Sequence, residues 1–396
     1  MTRRSRLLIL LLGSVLWVSG MVGGARAAEV SDPIVVGVLH SESYPYAAMM
    51  RDSYQMALDT INQQGGIKGS PLQLVFADDQ GKREAGEDAV RRLVEESKAV
   101  MLVGGYASSN TVYTARVADK LNVPFLITTA ADDRITQRKW RNVFRMNPPA
   151  GEYAKGVEDL LQKNVKPTSM AIIYENSPYG TGGALRMMWF SREYDIALTK
   201  MIPYHKERAS PEYFQSLLAP LRADTPDVIY MVSYLNDAVL LVKTLRGFET
   251  DSMLIGGAGG FTHQRFINMA GDSAEGVLTA TLWTQQLPYP GASEYYRRYE
   301  QAHSVPPDYH GAEAYSALFV VADVLKRAES LRPESIRAAL NETNIETAFG
   351  PVIFGNYGKF ERQNRLPTMV LKVVNGAFEV VWPEDIATSK LTAPPQ

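Results

Sequence analysis

From Ile34 onward, short apolar runs alternate with stretches in which apolar residues return every three or four positions. IVVGVL (Ile34–Leu39) is continuously apolar, which predicts a strand buried on both faces. Met50, Tyr54, Ala57, Leu58 and Ile61 then share one face of a helix. Gly65-Gly66 should stop that helix, because glycine takes a left-handed C-terminal conformation without a Cβ clash. LQLVF (Leu72–Phe76), AVMLVGG (Ala99–Gly105) and PFLITT (Pro124–Thr129) predict further strands, with helices over Ala85–Val94 and Val112–Leu121 between them. The pattern restarts after Asn147-Pro148-Pro149: strands at Met170–Tyr174, Ala197–Ile202, Asp227–Val232 and Met253–Gly257 alternate with helices around Leu185–Tyr194, Tyr213–Leu221 and Ala238–Phe248. A strand at 277–282 and a helix over Ala312–Ala328 follow. Such alternation predicts parallel sheets with helices on both faces, in two lobes. The tail differs: PVIFGNYGKFER, TMVLKVVNG and AFEVVW read as antiparallel strands, with a turn at Asn375-Gly376.

The N-terminus follows another logic. MTRRSR (Met1–Arg6) is cationic, Leu7–Met21 is apolar, and Ala25-Arg26-Ala27 has the small-x-small form that a signal peptidase accepts. Residues 1–27 are therefore expected to be a signal peptide cleaved before Ala28. The apolar run falls short of the ~20 residues a spanning helix needs. Among 396 residues, 41 are basic and 43 acidic, for a formal charge of −2. Losing residues 1–27 takes four arginines and no acid, so the exported chain would carry 37 basic and 43 acidic side chains, net −6. That balance gives no basic footprint for nucleic acid. The absence of cysteine excludes disulfides, zinc-thiolate sites and thiol catalysis.

Enzyme motifs are scarce. There is no P-loop, H-E-x-x-H or G-x-S-x-G, and the five histidines share no metal-ligand spacing. No cofactor or metal is expected. A secreted hydrolase or dehydrogenase would need a nucleophile–base pair or a dinucleotide loop, which the sequence does not offer locally. Instead, two strand-to-helix loops are rich in hydroxyls and small residues: Gly104–Thr111 (GGYASSNT) and Thr128–Asp133 (TTAADD). Ser108, Ser109, Asp132 or Asp133 could simply cap helices; equally, helix N-termini and hydroxyls suit a ligand carboxylate. Both loops belong at one end of a parallel sheet, where open α/β sheets bind ligands.

VVGVL, INQQGGIKGSPLQLVFADDQ, LVGGYASSNT, VPFLITTAADD, AIIYENSPYGTG and MAGDSAEGV together resemble the Leu/Ile/Val-binding-protein family, over roughly residues 30 to 385. Asn62–Gly69 and Ala270–Gly276 are the more specific segments. The resemblance implies the type I periplasmic-binding-protein fold, an α/β architecture of two doubly wound parallel-sheet lobes joined by a three-stranded hinge. It puts residues 28–147 and 280–352 in lobe one, and 148–279 and 353–396 in lobe two, with crossovers near Arg145–Pro149, Val277–Thr281 and Pro351–Phe354. It implies a periplasmic receptor that acts as a monomer, closes on a small solute and delivers it to the permease and ATPase subunits of an ABC importer.

Residue by residue, the resemblance makes Ser108 the carboxylate-binding serine, with Tyr106 beside it. Ala130 takes the place whose carbonyl accepts from a ligand ammonium. Tyr46 is an aromatic wall position, and Tyr179 and Tyr234 close over the ligand from lobe two. Two positions depart from the amino-acid binders: Asp132 stands where a threonine or serine holds the ammonium, and Ala258 where an acid does. Either Asp132 has taken over the ammonium, or the solute is an aromatic or other carboxylic acid, or an amide. A ligand-sensing domain of the same fold is the further alternative.

Overall fold

The computed structural model describes residues 32–391; the signal peptide expected at 1–27 lies outside them. Five strands come first: β1 (Ile34–His40), β2 (Leu72–Asp78), β3 (Met101–Gly104), β4 (Phe125–Ile127) and β5 (Val143–Arg145). Five more follow the restart: β6 (Ser169–Glu175), β7 (Ala197–Tyr204), β8 (Val228–Val232), β9 (Met253–Gly256) and β10 (Leu278–Thr281). The tail adds β11 (Asn344–Thr347), β12 (Gly350–Ile353), β13 (Gly355–Tyr357), β14 (Phe360–Gln363), β15 (Met369–Val374) and β16 (Ala377–Trp382). They form two seven-stranded sheets, ordered β13-β14-β5-β4-β3-β1-β2 and β16-β15-β10-β9-β8-β6-β7. β11 and β12 make a separate two-stranded ribbon.

The central strands β3, β4, β8 and β9 are buried along their whole length, as continuous apolar runs between helical layers must be. The first helix, Ala47–Gln63, buries Met50, Tyr54, Ala57 and Ile61 and ends before Gly65 and Gly66, both at positive φ. Its main partner is the long helix Tyr309–Arg327, so the chain returns to the first lobe after β10. β15 and β16 pair antiparallel across Asn375-Gly376 at the edge of the second sheet.

One boundary is corrected. Residues 353–396 were all expected in lobe two, but β13 and β14 pair with each other antiparallel and extend the first sheet, Gln363 lying opposite Arg145. Phe354 packs edge-on against Phe144 of β5, with ring centroids 5.3 Å apart. The antiparallel character of this hairpin is legible in the sequence, but the sheet that receives it is set by these contacts with β5. The last crossover therefore falls between Gln363 and Met369. The other two follow β5 and β10, since β10 pairs wholly within the second sheet.

Candidate functional site

The carboxyl ends of β1, β3 and β4 face those of β6, β8 and β9 across the cleft, and the loops they feed carry the candidate residues. After β3 the chain turns through Gly104 at φ 113°, where a Cβ would lie 2.3 Å from the carbonyl oxygen of Leu39. That turn delivers Tyr106 to the cleft and starts a helix at Ser108. On the opposite lobe Tyr179 sits in the first turn of helix Pro178–Glu193, and Tyr234 immediately precedes helix Leu235–Arg246.

Away from the crossovers, hydrogen bonds among the described residues span the lobes. Tyr46 donates its hydroxyl to the Gly259 carbonyl at 2.8 Å, Thr262 donates to Asp308 at 2.9 Å, and Arg265 reaches the Pro45 carbonyl at 3.4 Å. The lobes are thus closed. They leave a cavity of about 20 Å³, room for roughly one water. Tyr106, Ser108, Thr129, Ala131, Tyr153, Tyr179, Tyr234, Gly259, Tyr309 and His310 line it. A solute of any size must enter with the lobes parted.

Of the residues expected at the site, Tyr106, Ser108, Tyr179 and Tyr234 line this cavity. Tyr46 stands just behind, stacked on His310 at 3.8 Å and 5.9 Å from Tyr106. Ala130, Asp132 and Ala258 do not line it. Tyr153, Tyr309 and His310 do, and sequence reasoning missed them. Tyr153 lies five residues beyond the Pro148 crossover, and Tyr309-His310 open a helix far along the chain from every loop considered. Pro306-Pro307-Asp308, an apparent helix start, was the one signal that could have flagged the latter pair.

Ser108 Oγ accepts from the Ala131 backbone N–H at 2.9 Å, which leaves its hydroxyl hydrogen to donate at the helix N-terminus. Burial raises the hydroxyl pKa values of Tyr46, Tyr106, Tyr179, Tyr234 and Tyr309 well above the ordinary range, so these rings are neutral. Burial also opposes charge on Asp308, but His310, His263 and Thr262 outweigh it and hold this carboxyl below the usual range.

The groups expected to hold an ammonium are occupied. Both Asp132 oxygens bind the Arg134 guanidinium, at 2.6 Å for the shortest contact, and Asp132 Oδ1 also accepts the Arg134 backbone N–H. The Ala130 carbonyl accepts from the buried Arg145, which also binds the Asp132 carbonyl, Thr136 and Gln363. A prediction follows for Asp132→Ala: solute affinity should change by less than about twofold, because the side chain neutralises Arg134 and does not line the cavity. Calorimetry on the variant checks it, and a loss of tenfold or more would restore Asp132 as an ammonium anchor.

Comparisons with known proteins fit this geometry. The family described as "Periplasmic binding protein" matches residues 33–376. Leu/Ile/Val-binding protein homolog 7 of Brucella suis is 27% identical over 390 residues, covering 93% of this chain and 96% of that one. The isoleucine-bound branched-chain amino acid transporter substrate binding protein of Streptococcus pneumoniae superposes with a TM-score of 0.79 at 22% identity, covering 89% of this chain and all of that one. A solute binding protein of R. palustris in complex with benzoate gives 0.77 at 19%, covering 88% and 95%. With two parallel-sheet lobes closing on a cavity and a family match over most of its length, the chain belongs to the periplasmic binding protein family.

Proposed function

We propose that this chain is the periplasmic solute-binding component of an ABC importer, exported by the signal peptide at 1–27 and acting as a monomer. It captures a small carboxylate-bearing solute between its lobes and presents the closed form to permease and ATPase subunits. The carrying observation is the small cavity between the lobes, with Ser108 at a helix N-terminus on one side and Tyr179 and Tyr234 on the other. Solute contacts to both lobes favour closure, which is how occupancy becomes a change of shape.

The commitment of Ala130 and Asp132 to arginines favours a carboxylic solute over an α-amino acid, since an ammonium would leave N–H donors without acceptors. The benzoate complex of the R. palustris relative supports this reading, while the isoleucine complex of the S. pneumoniae relative supports the amino acid. A thermal-shift screen against amino acids, amides and carboxylic acids separates them, because a tight solute raises the melting temperature by mass action. Ser108→Ala should weaken binding of the solute so found by about 1–3 kcal/mol, the range for losing a hydrogen bond to a charged group. Equal affinity for the acid and its amide would remove Ser108 as the anion anchor.

A further inference from the structure

Six rings form a closed circuit around the cavity. Successive centroids are 6.3 Å apart for Tyr106–Tyr234, 5.4 Å for Tyr234–Tyr179, 6.1 Å for Tyr179–Tyr153 and 6.4 Å for Tyr153–Tyr309. Tyr309–His310 at 3.9 Å and His310–Tyr106 at 5.7 Å complete it. A planar solute stacks face to face only in a slot between two nearly parallel rings. Only Tyr309 and His310 are close to parallel, at 26°, and they are already stacked on each other. The other five pairs meet at 35° to 81°. With the lobes parted just enough to admit it, such a set of inclined faces suits a compact, rounded group that touches several of them at once.

The charge of that group follows from what surrounds the rings. Ring faces carry negative potential and attract cations. Behind them stand two buried carboxyls. Glu313, one helical turn past Tyr309, is fully buried beside Thr129 and Tyr153, and neither of its oxygens has a well-formed hydrogen bond. Glu175, behind Tyr234 on the other lobe, has an unpartnered Oε2. No salt bridge to either is present among the described residues, and burial pushes both carboxyls up. A cation among the rings would supply the charge these acids lack. The imidazole of His310 does not compete for that role, since its Nδ1 lies 3.0 Å from the Asp308 carboxylate.

A primary ammonium would still need acceptors for its N–H groups, and those at Ala130 and Asp132 are taken. A fully N-methylated ammonium has no N–H to satisfy. We propose that the five tyrosine rings are an aromatic cage for such a group, His310 only closing the circuit by its edge because both its faces are stacked on Tyr46 and Tyr309, and that the solute is a short betaine whose carboxylate sits at Ser108. This rests on the receptor reading above and narrows it.

Calorimetry on the chain from Ala28 tests it with trimethylglycine, 4-(trimethylammonio)butanoate, glycine, leucine, benzoate and 3,3-dimethylbutanoate, the last being the uncharged isostere of trimethylglycine. One of the two betaines should bind one per chain, more tightly than glycine, leucine or benzoate and about tenfold or more tighter than the isostere. Tyr234→Leu, which keeps apolar bulk but removes the ring, should weaken the betaine about tenfold and the isostere less than about threefold. Equal affinity for betaine and isostere, or equal losses in the variant, would overturn the cage. Tighter binding of leucine or benzoate would overturn it too, yet leave the carboxylate receptor standing. Silence from every carboxylate would overturn both.

Discussion

Arg145→Leu is expected to lower the unfolding free energy by about 3–5 kcal/mol, the range for stripping a buried polar group from its partners. The guanidinium is fully buried and burial pulls its pKa down, so its charge is held at a cost. Its hydrogen bonds reach the Gln363 side chain at 2.6 Å, Thr136 at 2.9 Å and the carbonyls of Ala130 and Asp132 at 3.3 and 2.8 Å. It therefore ties β5 to β14 and to the loop behind the cavity. Leucine would remove one buried hydrogen bond from each of those acceptors, Gln363 Oε1 keeping only its bond from Thr136 and the Asp132 carbonyl only that from the Ile135 N–H. Denaturant unfolding of the variant measures the loss, and a change below about 1 kcal/mol would mean the network relaxes onto water.

Gly259→Ala should cost little stability and much binding. Gly259 has φ 54°, and a Cβ there would lie 2.3 Å from Tyr179 Oη and 3.0 Å from its Cζ. The far end of a side chain can move, so folding should lose only about 1 kcal/mol for the positive φ. Tyr179, however, lines the cavity and donates to the Gly257 carbonyl at 3.0 Å. Displacing it should weaken the solute about tenfold or more, about 1.4 kcal/mol for each factor of ten. Unchanged affinity would show that Tyr179 does not touch the solute.

The sequence made the two-lobe α/β plan legible because its strands are buried on both faces and read as unbroken apolar runs, and its helices carry one apolar face. The glycine turns at Gly65-Gly66 and Asn375-Gly376 marked element ends for the same local reason. The destination of β13 and β14 was hidden because a hairpin's own pattern does not name the sheet it joins; Phe144, Phe354, Arg145 and Gln363 decide that across more than 200 residues of chain. The site was legible where residues follow a strand end, as with Tyr106, Ser108, Tyr179 and Tyr234. Tyr153, Tyr309 and His310 arrive from a crossover and a returning helix, so only the folded chain brings them in. Asp132 could not be settled by position alone, since the residue that claims it, Arg134, is two places along and equally compatible with a solvated cap.

Closure on a solute is the centre of this account, and small-angle scattering of the chain with and without the carboxylate selected by calorimetry tests it most directly. The bonds that span the lobes away from the crossovers, from Tyr46, Thr262 and Arg265, belong to the closed form. Saturating solute should shrink the radius of gyration as the open population is drawn into that form. An identical scattering curve at saturation, with binding confirmed in the same sample, would contradict it.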